Sequence, residues 1–180
     1  MRKMKNKPLY RISRCSLFAA IICVCSFLTV PVGPIPVTAA LLAVMLVGIV
    51  LSPLEALLTT TVYILIGALG IPVFSSGGAG IGILLGPTGG YIWSYPFLAL
   101  ITSLFSLIKT NKKPLKYLFA FIGCITGTAV CYFCGTLQYM YICSTTFYTA
   151  VLTCIIPFII FDIIKAIAAC SVGVLLRNRI

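Results

Sequence analysis

The chain has 180 residues, of which 61% are hydrophobic and 8% are charged, and its mean hydropathy is +1.18. Soluble domains carry about 25% charged residues, so this composition excludes an ordinary soluble domain and indicates an integral membrane protein. The net charge of +11 is concentrated in a few clusters of Lys and Arg. Such clusters favour a membrane-topology signal over a nucleic-acid-binding face.

The apolar segments predict one all-α domain over residues 1–180. A hydrocarbon core about 30 Å thick needs about 20 apolar residues per helical crossing, so the chain holds roughly six transmembrane helices. After a basic N-terminus at 1–11, the proline cluster at 31–36 ends the first helix, because proline lacks a backbone N–H and its ring obstructs the helix. This cluster is not a small-residue cleavage site, so we expect the first helix to be retained rather than removed as a signal peptide. The predicted helices cover about 12–30, 37–51, 54–69, 91–108, 117–134 and 158–176.

Two segments between these helices do not have the pattern of a transmembrane helix. Residues 70–90, GIPVFSSGGAGIGILLGPTGG, are too rich in glycine for one helix and too apolar for an ordinary solvated linker, so they predict a lid-like loop. Residues 135–146 are polar and aromatic, and an interfacial or re-entrant piece at about 147–156 precedes Pro157.

The basic clusters predict the orientation of the chain. Six Lys or Arg lie between Arg2 and Arg14, four lie between residues 109 and 116, and Arg177 and Arg179 lie at the end. Six crossings place all three clusters on one side, and the positive-inside rule makes that side cytoplasmic, together with both termini. The segments 31–36, 70–90 and 135–157 then share an outer mouth.

The chain has only two acidic residues, Glu55 and Asp162. Glu55 begins the third predicted helix, where a negative charge favours the positive end of the helix dipole. Asp162 and Lys165 instead lie inside the last helix, where each charge costs roughly 2.5–3.5 kcal/mol on insertion scales. Two interpretations remain open: an i,i+3 ion pair that locks a helix, or a polar wall of a solute site in which Asp162 accepts hydrogen bonds and Lys165 donates them.

The sequence contains no motif that supports catalysis. It has no histidine, neither a P-loop nor a strand-linked G-x-G-x-x-G motif, and too few acids for a catalytic triad or an acidic metal cluster. The nine cysteines are mostly apolar core candidates, and the C-x-x-C at Cys131 and Cys134 has no second pair to form a metal site. We therefore expect no enzyme activity, no metal and no cofactor.

Small residues on the first helix form two overlapping pairs that would let another helix approach closely. The pairs are Ser16 with Ala20 and Ala19 with Cys23. They are equally compatible with packing inside the chain and with a partner surface.

Three motifs in order resemble the BioY family of biotin-uptake proteins, the substrate-capture (S) components of energy-coupling-factor (ECF) transporters. The motifs are PIPVT at 34–38, the run from 62 to 93 that contains IPVF and LLGPTGG, and PFIIFDIIKAIAA at 157–169. The resemblance implies a multi-pass protein of a bacterial-type cell membrane that binds biotin near its outer face. It implies that Asp162 and Lys165 match the ligand-contacting Asp and Lys of the last helix.

Further candidate ligand contacts follow from the residue types together with this resemblance. Glycines and serines can bring backbone N–H groups close to a ligand, and aromatic residues can enclose it. The further candidate ligand contacts are Thr38, Ser75, Ser76, Gly77, Gly78, Tyr91 and Trp93.

The resemblance also implies partners: a membrane coupling protein and a pair of cytosolic ATPases that alone use ATP. The small residues 16, 19, 20 and 23 are the candidate contact with them. Ala40 departs from the family pattern, since relatives often carry Gln there. An S component for another small vitamin is therefore kept as an alternative. A non-transport assembly subunit, in which the Asp162–Lys165 pair only locks helices, is kept as a second alternative.

Overall fold

The computed structural model describes residues 7–31, 35–108, 110 and 112–177. Arg2, Lys3, Lys5, Pro34 and Arg179, which entered the sequence interpretation, lie outside the described residues.

The described chain is a helical bundle with one small β-ribbon. Strand β1 (Thr29–Pro31) pairs antiparallel with β2 (Pro36–Thr38), with Thr29 opposite Thr38. The helices are α1 (Lys7–Phe27), α2 (Ala40–Val50), α3 (Pro53–Ala68), α4 (Ile81–Leu85), α5 (Gly89–Ser106), α6 (Lys113–Cys143), α7 (Phe147–Cys154) and α8 (Ile156–Arg177).

Helix α2 forms the centre of the bundle. Its sequence ALLAVMLVGIV is apolar on every face, as expected of a helix surrounded by protein. It packs against α1, α5 and α8, and Val44, Met45 and Val47 have no solvent exposure. The main hydrophobic core is built around this helix.

The C-terminal carbonyls of α2 receive donors from three other helices. The guanidinium of Arg14 on α1 donates to Val50 O at 3.3 Å, and that of Arg177 on α8 donates to Ile49 O at 2.9 Å. Ser103 Oγ on α5 donates to Leu51 O at 2.7 Å. These bonds satisfy carbonyls that a helix end leaves unpaired, a requirement inside a membrane protein where water is scarce.

Three of the predicted boundaries are corrected by the structure. The second predicted helix does not begin at residue 37, because Pro36–Thr38 pair with β1 and the helix starts at Ala40. The fifth does not end at 134, since α6 continues to Cys143 and ends at Ser144, whose φ of 50° is left-handed. The last begins at Ile156 rather than 158, which places Pro157 in its first turn, where a missing N–H breaks no helical bond.

Small shifts apply to the other predicted helices. The first, predicted at 12–30, is observed at Lys7–Phe27, and the fourth, predicted at 91–108, is observed at Gly89–Ser106. The third, predicted at 54–69, is observed at Pro53–Ala68.

The glycine-rich segment 70–90 is held to the bundle by Phe74. This side chain has no solvent exposure, and its ring meets the Tyr63 ring edge-on, with 5.7 Å between centroids. A Cβ at Gly67 would overlap the Phe74 ring, so only glycine at this position of α3 leaves room for it. Tyr63 also donates to Val73 O at 3.2 Å, so the beginning of the segment has a defined place.

Among the residues that the structure describes, three helices are long and apolar enough to cross a membrane on their own: Pro8–Phe27, Lys113–Cys143 and Ile156–Arg177. Helices α2 and α3 are shorter than the roughly 20 residues that one crossing requires. The helical architecture is therefore observed, with helices long and apolar enough to span a membrane, while six crossings stay a prediction.

Candidate functional site

The only acidic side chain on α8 lies inside the bundle and is bonded at both oxygens. Asp162 is 6% exposed. Tyr132 on α6 donates its hydroxyl to Oδ2 at 2.6 Å, and Lys165 donates from Nζ to Oδ1 at 2.8 Å. The side chain of Lys165 is 14% exposed, so both charges are largely withdrawn from solvent. The i,i+3 ion pair is thus formed, and it is compatible with both interpretations of the two charges.

The pair forms part of the wall of a cavity at one end of the bundle. The cavity encloses about 580 Å³, including the space at its mouth. Its wall is mostly apolar, with charges from α8 and hydroxyls from several other elements. It is lined by Ile35, Pro36, Val37, Thr38, Leu41, Ser75, Thr88, Tyr91, Ile92, Tyr95, Cys131, Tyr132, Cys154, Phe158, Asp162 and Lys165.

Local packing places Tyr91 in this wall. A Cβ at Gly135 of α6 would meet the Tyr91 ring, so the missing side chain lets the ring lie against α6. The hydroxyl of Tyr91 then donates to Cys154 O at 3.3 Å, at the end of α7. One tyrosine thereby joins α5, α6 and α7 beside the cavity.

Five of the predicted ligand contacts line this cavity together: Thr38, Ser75, Tyr91, Asp162 and Lys165. One lies on β2, one in the segment that follows α3, one on α5 and two on α8. The fold therefore brings together residues that are far apart in the chain. Their contact with a ligand remains a prediction.

Four other candidates lie elsewhere. Ser76, Gly77 and Gly78 do not line the cavity, and Ser76, with a left-handed φ of 56°, lies within 3.4 Å of the Thr29 hydroxyl on the ribbon. Trp93 is 49% exposed, and its indole N–H donates to Leu84 O at 3.2 Å. Gln138 on α6 donates to the same carbonyl, so Trp93 and Gln138 hold α4 in place.

Sequence reasoning did not single out Tyr95, Thr88 or Tyr132. Tyr132 precedes Asp162 by 30 positions, and its place beside the carboxylate depends on how α6 packs on α8. An aromatic residue in an apolar helix gives no local signal of that contact. Cys131 and Cys154 also line the cavity, but the described residues contain no group of three His, Cys, Asp or Glu that could hold a metal ion.

The second acid of the chain lies away from the cavity. Glu55 Oε2 accepts from the backbone N–H of Ser52 at 3.2 Å, and Oε1 lies 3.4 Å from the Arg11 guanidinium. It is a helix-start residue, as its position at the beginning of α3 predicted.

The small residues of α1 divide between two faces. Ser16 and Ala20 are exposed on the surface of the bundle, whereas Ala19 is 3% exposed and Cys23 is half-buried. The pair formed by residues 19 and 23 therefore faces inward, and the pair formed by Ser16 and Ala20 is the one available to a partner helix.

Comparison with known proteins gave consistent matches. The profile of the BioY family matches residues 1–180. The biotin transporter BioY2 of Lactococcus lactis subsp. cremoris is 38% identical over 175 residues, which is 96% of this chain and 93% of that protein. The probable biotin transporter BioY of Pyrococcus horikoshii is 34% identical over 169 residues, covering 93% and 96%.

A solved structure supports the same fold. The crystal structure of the S-component for biotin from an ECF-type ABC transporter superimposes with a TM-score of 0.89. The superposition covers 97% of this chain and 95% of that one at 24% sequence identity. The chain therefore has the fold of an ECF S-component.

Proposed function

Because the chain belongs to the BioY family, we propose that it captures biotin in the Asp162 cavity as the substrate-binding component of an ECF-type transporter. The resemblance drawn from its sequence motifs is confirmed by the family match. The chain is a cell-membrane transport protein rather than an enzyme. The observation that carries the proposal is the buried Asp162–Lys165 pair in the wall of a mostly apolar cavity.

The pair has hydrogen-bonding capacity left for a ligand. A carboxylate offers about four lone-pair sites, and Asp162 uses one on each oxygen. An ammonium has about three donors, and one of those of Lys165 reaches Asp162. We propose that Asp162 accepts a hydrogen bond from an N–H group of the ureido ring and that Lys165 donates to the ureido carbonyl or to the valerate carboxylate.

The apolar part of the cavity suits the rest of the molecule. Small-molecule sites are mostly apolar and carry a few polar groups that fix the orientation of the ligand, and the wall of this cavity has that composition. Val37, Leu41 and Phe158 offer apolar surface to the thioether bicycle. Thr38, Ser75 and Tyr91 provide hydroxyls for the remaining polar atoms.

We propose six crossings formed by α1, α2, α3, α5, α6 and α8, with both termini in the cytoplasm and the cavity opening outward. The basic turn before α6 and Arg177 at the end of α8 support this orientation. Alkaline phosphatase fused after Thr146 is expected to be active outside the cell, and the same enzyme fused after Arg177 is expected to be inactive. Activity after Arg177 would contradict the orientation.

We propose further that transport is driven by a membrane coupling protein and paired ATPases of an ECF module, which meet this chain at the exposed Ser16–Ala20 face of α1. Neither ATP nor another cofactor is then needed to bind biotin. The S-component fold supports this arrangement.

The purified chain is therefore expected to bind biotin with nanomolar Kd in detergent without ATP and without any partner. Enclosure in an apolar cavity that also offers charge-assisted hydrogen bonds is the physical reason. Isothermal titration against biotin, thiamine and riboflavin measures the preference. Tighter binding of thiamine or riboflavin would instead identify an S component for another vitamin. The presence of Ala40, where relatives often carry Gln, would then be part of that changed specificity.

A further inference from the structure

The Asp162 carboxylate is held from two helices at once. Lys165, on its own helix, bonds Oδ1, whereas Tyr132 reaches across from α6 to bond Oδ2 at 2.6 Å. The terminal torsion of an aspartate is soft, so a carboxylate bonded at one oxygen can turn. Bonds to both oxygens fix its plane.

Asp162 also has open space on two sides. A second cavity, open to the surface of the bundle, lies between α6 and α8, lined by Ile125, Thr128 and Ala129 on one side and by Ile159 and Ile163 on the other; its three isoleucines are about two-fifths exposed. Among the described residues, Tyr132 and Asp162 are the two that line both this cavity and the larger one. The hydrogen bond between them is thus part of a thin partition, and the carboxylate needs a partner to keep one orientation.

We infer that Tyr132 is a positioning residue whose hydroxyl holds the Asp162 carboxylate in the orientation that receives the ligand. This inference rests on the proposed function, in which Asp162 accepts a hydrogen bond from biotin. Fixing the carboxylate before the ligand arrives removes an ordering cost from binding, and this strengthens affinity without any contact between Tyr132 and the ligand.

Tyr132→Phe isolates the hydroxyl, because the phenyl ring stays in the partition between the cavities. The Kd for biotin, measured by titration, is expected to rise about tenfold or more, since hydrogen bonds to charged groups are stronger than neutral ones. Tyr117→Phe, near the start of the same helix and away from the cavity, is the matched control and should leave the Kd within about twofold.

A spectroscopic readout separates positioning from general packing. Because Asp162 and Glu55 are the only side-chain carboxylates, the infrared difference between wild type and Asp162→Asn isolates the Asp162 bands. Tyr132→Phe is expected to shift these carboxylate bands in the ligand-free protein, and Tyr117→Phe is expected to leave them in place. Unshifted bands in Tyr132→Phe would overturn the inference.

The two proposals fail in distinguishable ways. If wild type does not bind biotin, the proposed function is wrong whatever the Tyr132 variants do. If wild type binds biotin and Tyr132→Phe binds it with an unchanged Kd, the positioning role alone is overturned, even if the infrared bands shift.

Discussion

Asp162→Asn is expected to weaken biotin binding by about tenfold to a hundredfold. A hydrogen bond to a charged group is worth about 1.5–3 kcal/mol, so losing the one between Asp162 and the ureido N–H costs up to about 3 kcal/mol. Each 1.4 kcal/mol is about tenfold in Kd. The amide that replaces the carboxylate keeps one acceptor oxygen, but its NH₂ group is a donor. Two donors, this NH₂ group and the ligand N–H, would then face each other without an acceptor. Titration of the purified variant in detergent measures the change.

The chain offers a matched control in its other acid. Glu55→Gln makes the same chemical change at the start of α3, outside the cavity, and its amide oxygen can still accept from the Ser52 N–H. We expect its Kd to stay within about twofold of wild type, because Glu55 does not line the cavity. Equal losses in both variants, or none in Asp162→Asn, would remove Asp162 from the site.

The double variant Asp162→Asn/Lys165→Met is expected to fold as stably as wild type without ligand and yet to bind biotin at least about a hundredfold more weakly. Replacing both members of a buried ion pair is often neutral or stabilising by about 1–4 kcal/mol, whereas removing one member costs about 3–5 kcal/mol. The amide oxygen introduced at position 162 would still accept from the Tyr132 hydroxyl, so the contact between α6 and α8 is kept. Thermal unfolding in detergent and biotin titration are measured on the same preparation.

This comparison decides between the two interpretations of the pair. The Lys165→Met single variant is the control, because it leaves the Asp162 charge without its ion-pair partner and should unfold at a lower temperature than the double variant. If the double variant unfolds far below wild type, the pair locks helices. If the double variant binds biotin as wild type does, neither residue contacts the ligand.

Parts of the fold followed from the sequence because their causes are local. A charged residue inside an apolar helix is costly wherever that helix packs, so Asp162 and Lys165 could be singled out without a structure. Proline and glycine end helices through their own backbone chemistry, so the break after α3 was predicted, whereas α1 ends at Phe27, ahead of the prolines that were expected to end it. The motifs that resemble BioY identified the family over most of the chain.

Other parts depend on neighbours that the sequence does not specify. The helical state of residues 135–143 was missed because polar and aromatic composition resembles a loop, although Gln138 there bonds Leu84 O and Gly86 O of another segment. The ribbon formed by β1 and β2 was missed because three-residue strands are too short to show a periodic pattern.

The sequence by itself determined that this is a helical membrane protein with two costly charges inside its last helix, because composition and insertion energy are sums over residues and do not depend on tertiary contacts. It also determined the family, through motifs read in order. The tertiary structure alone decided which residues share the cavity. Trp93 was predicted to line the cavity but bonds α4 instead, whereas Tyr132 and Tyr95 line the cavity without having been predicted. Side chains separated by tens of positions meet only where α5, α6 and α8 pack together.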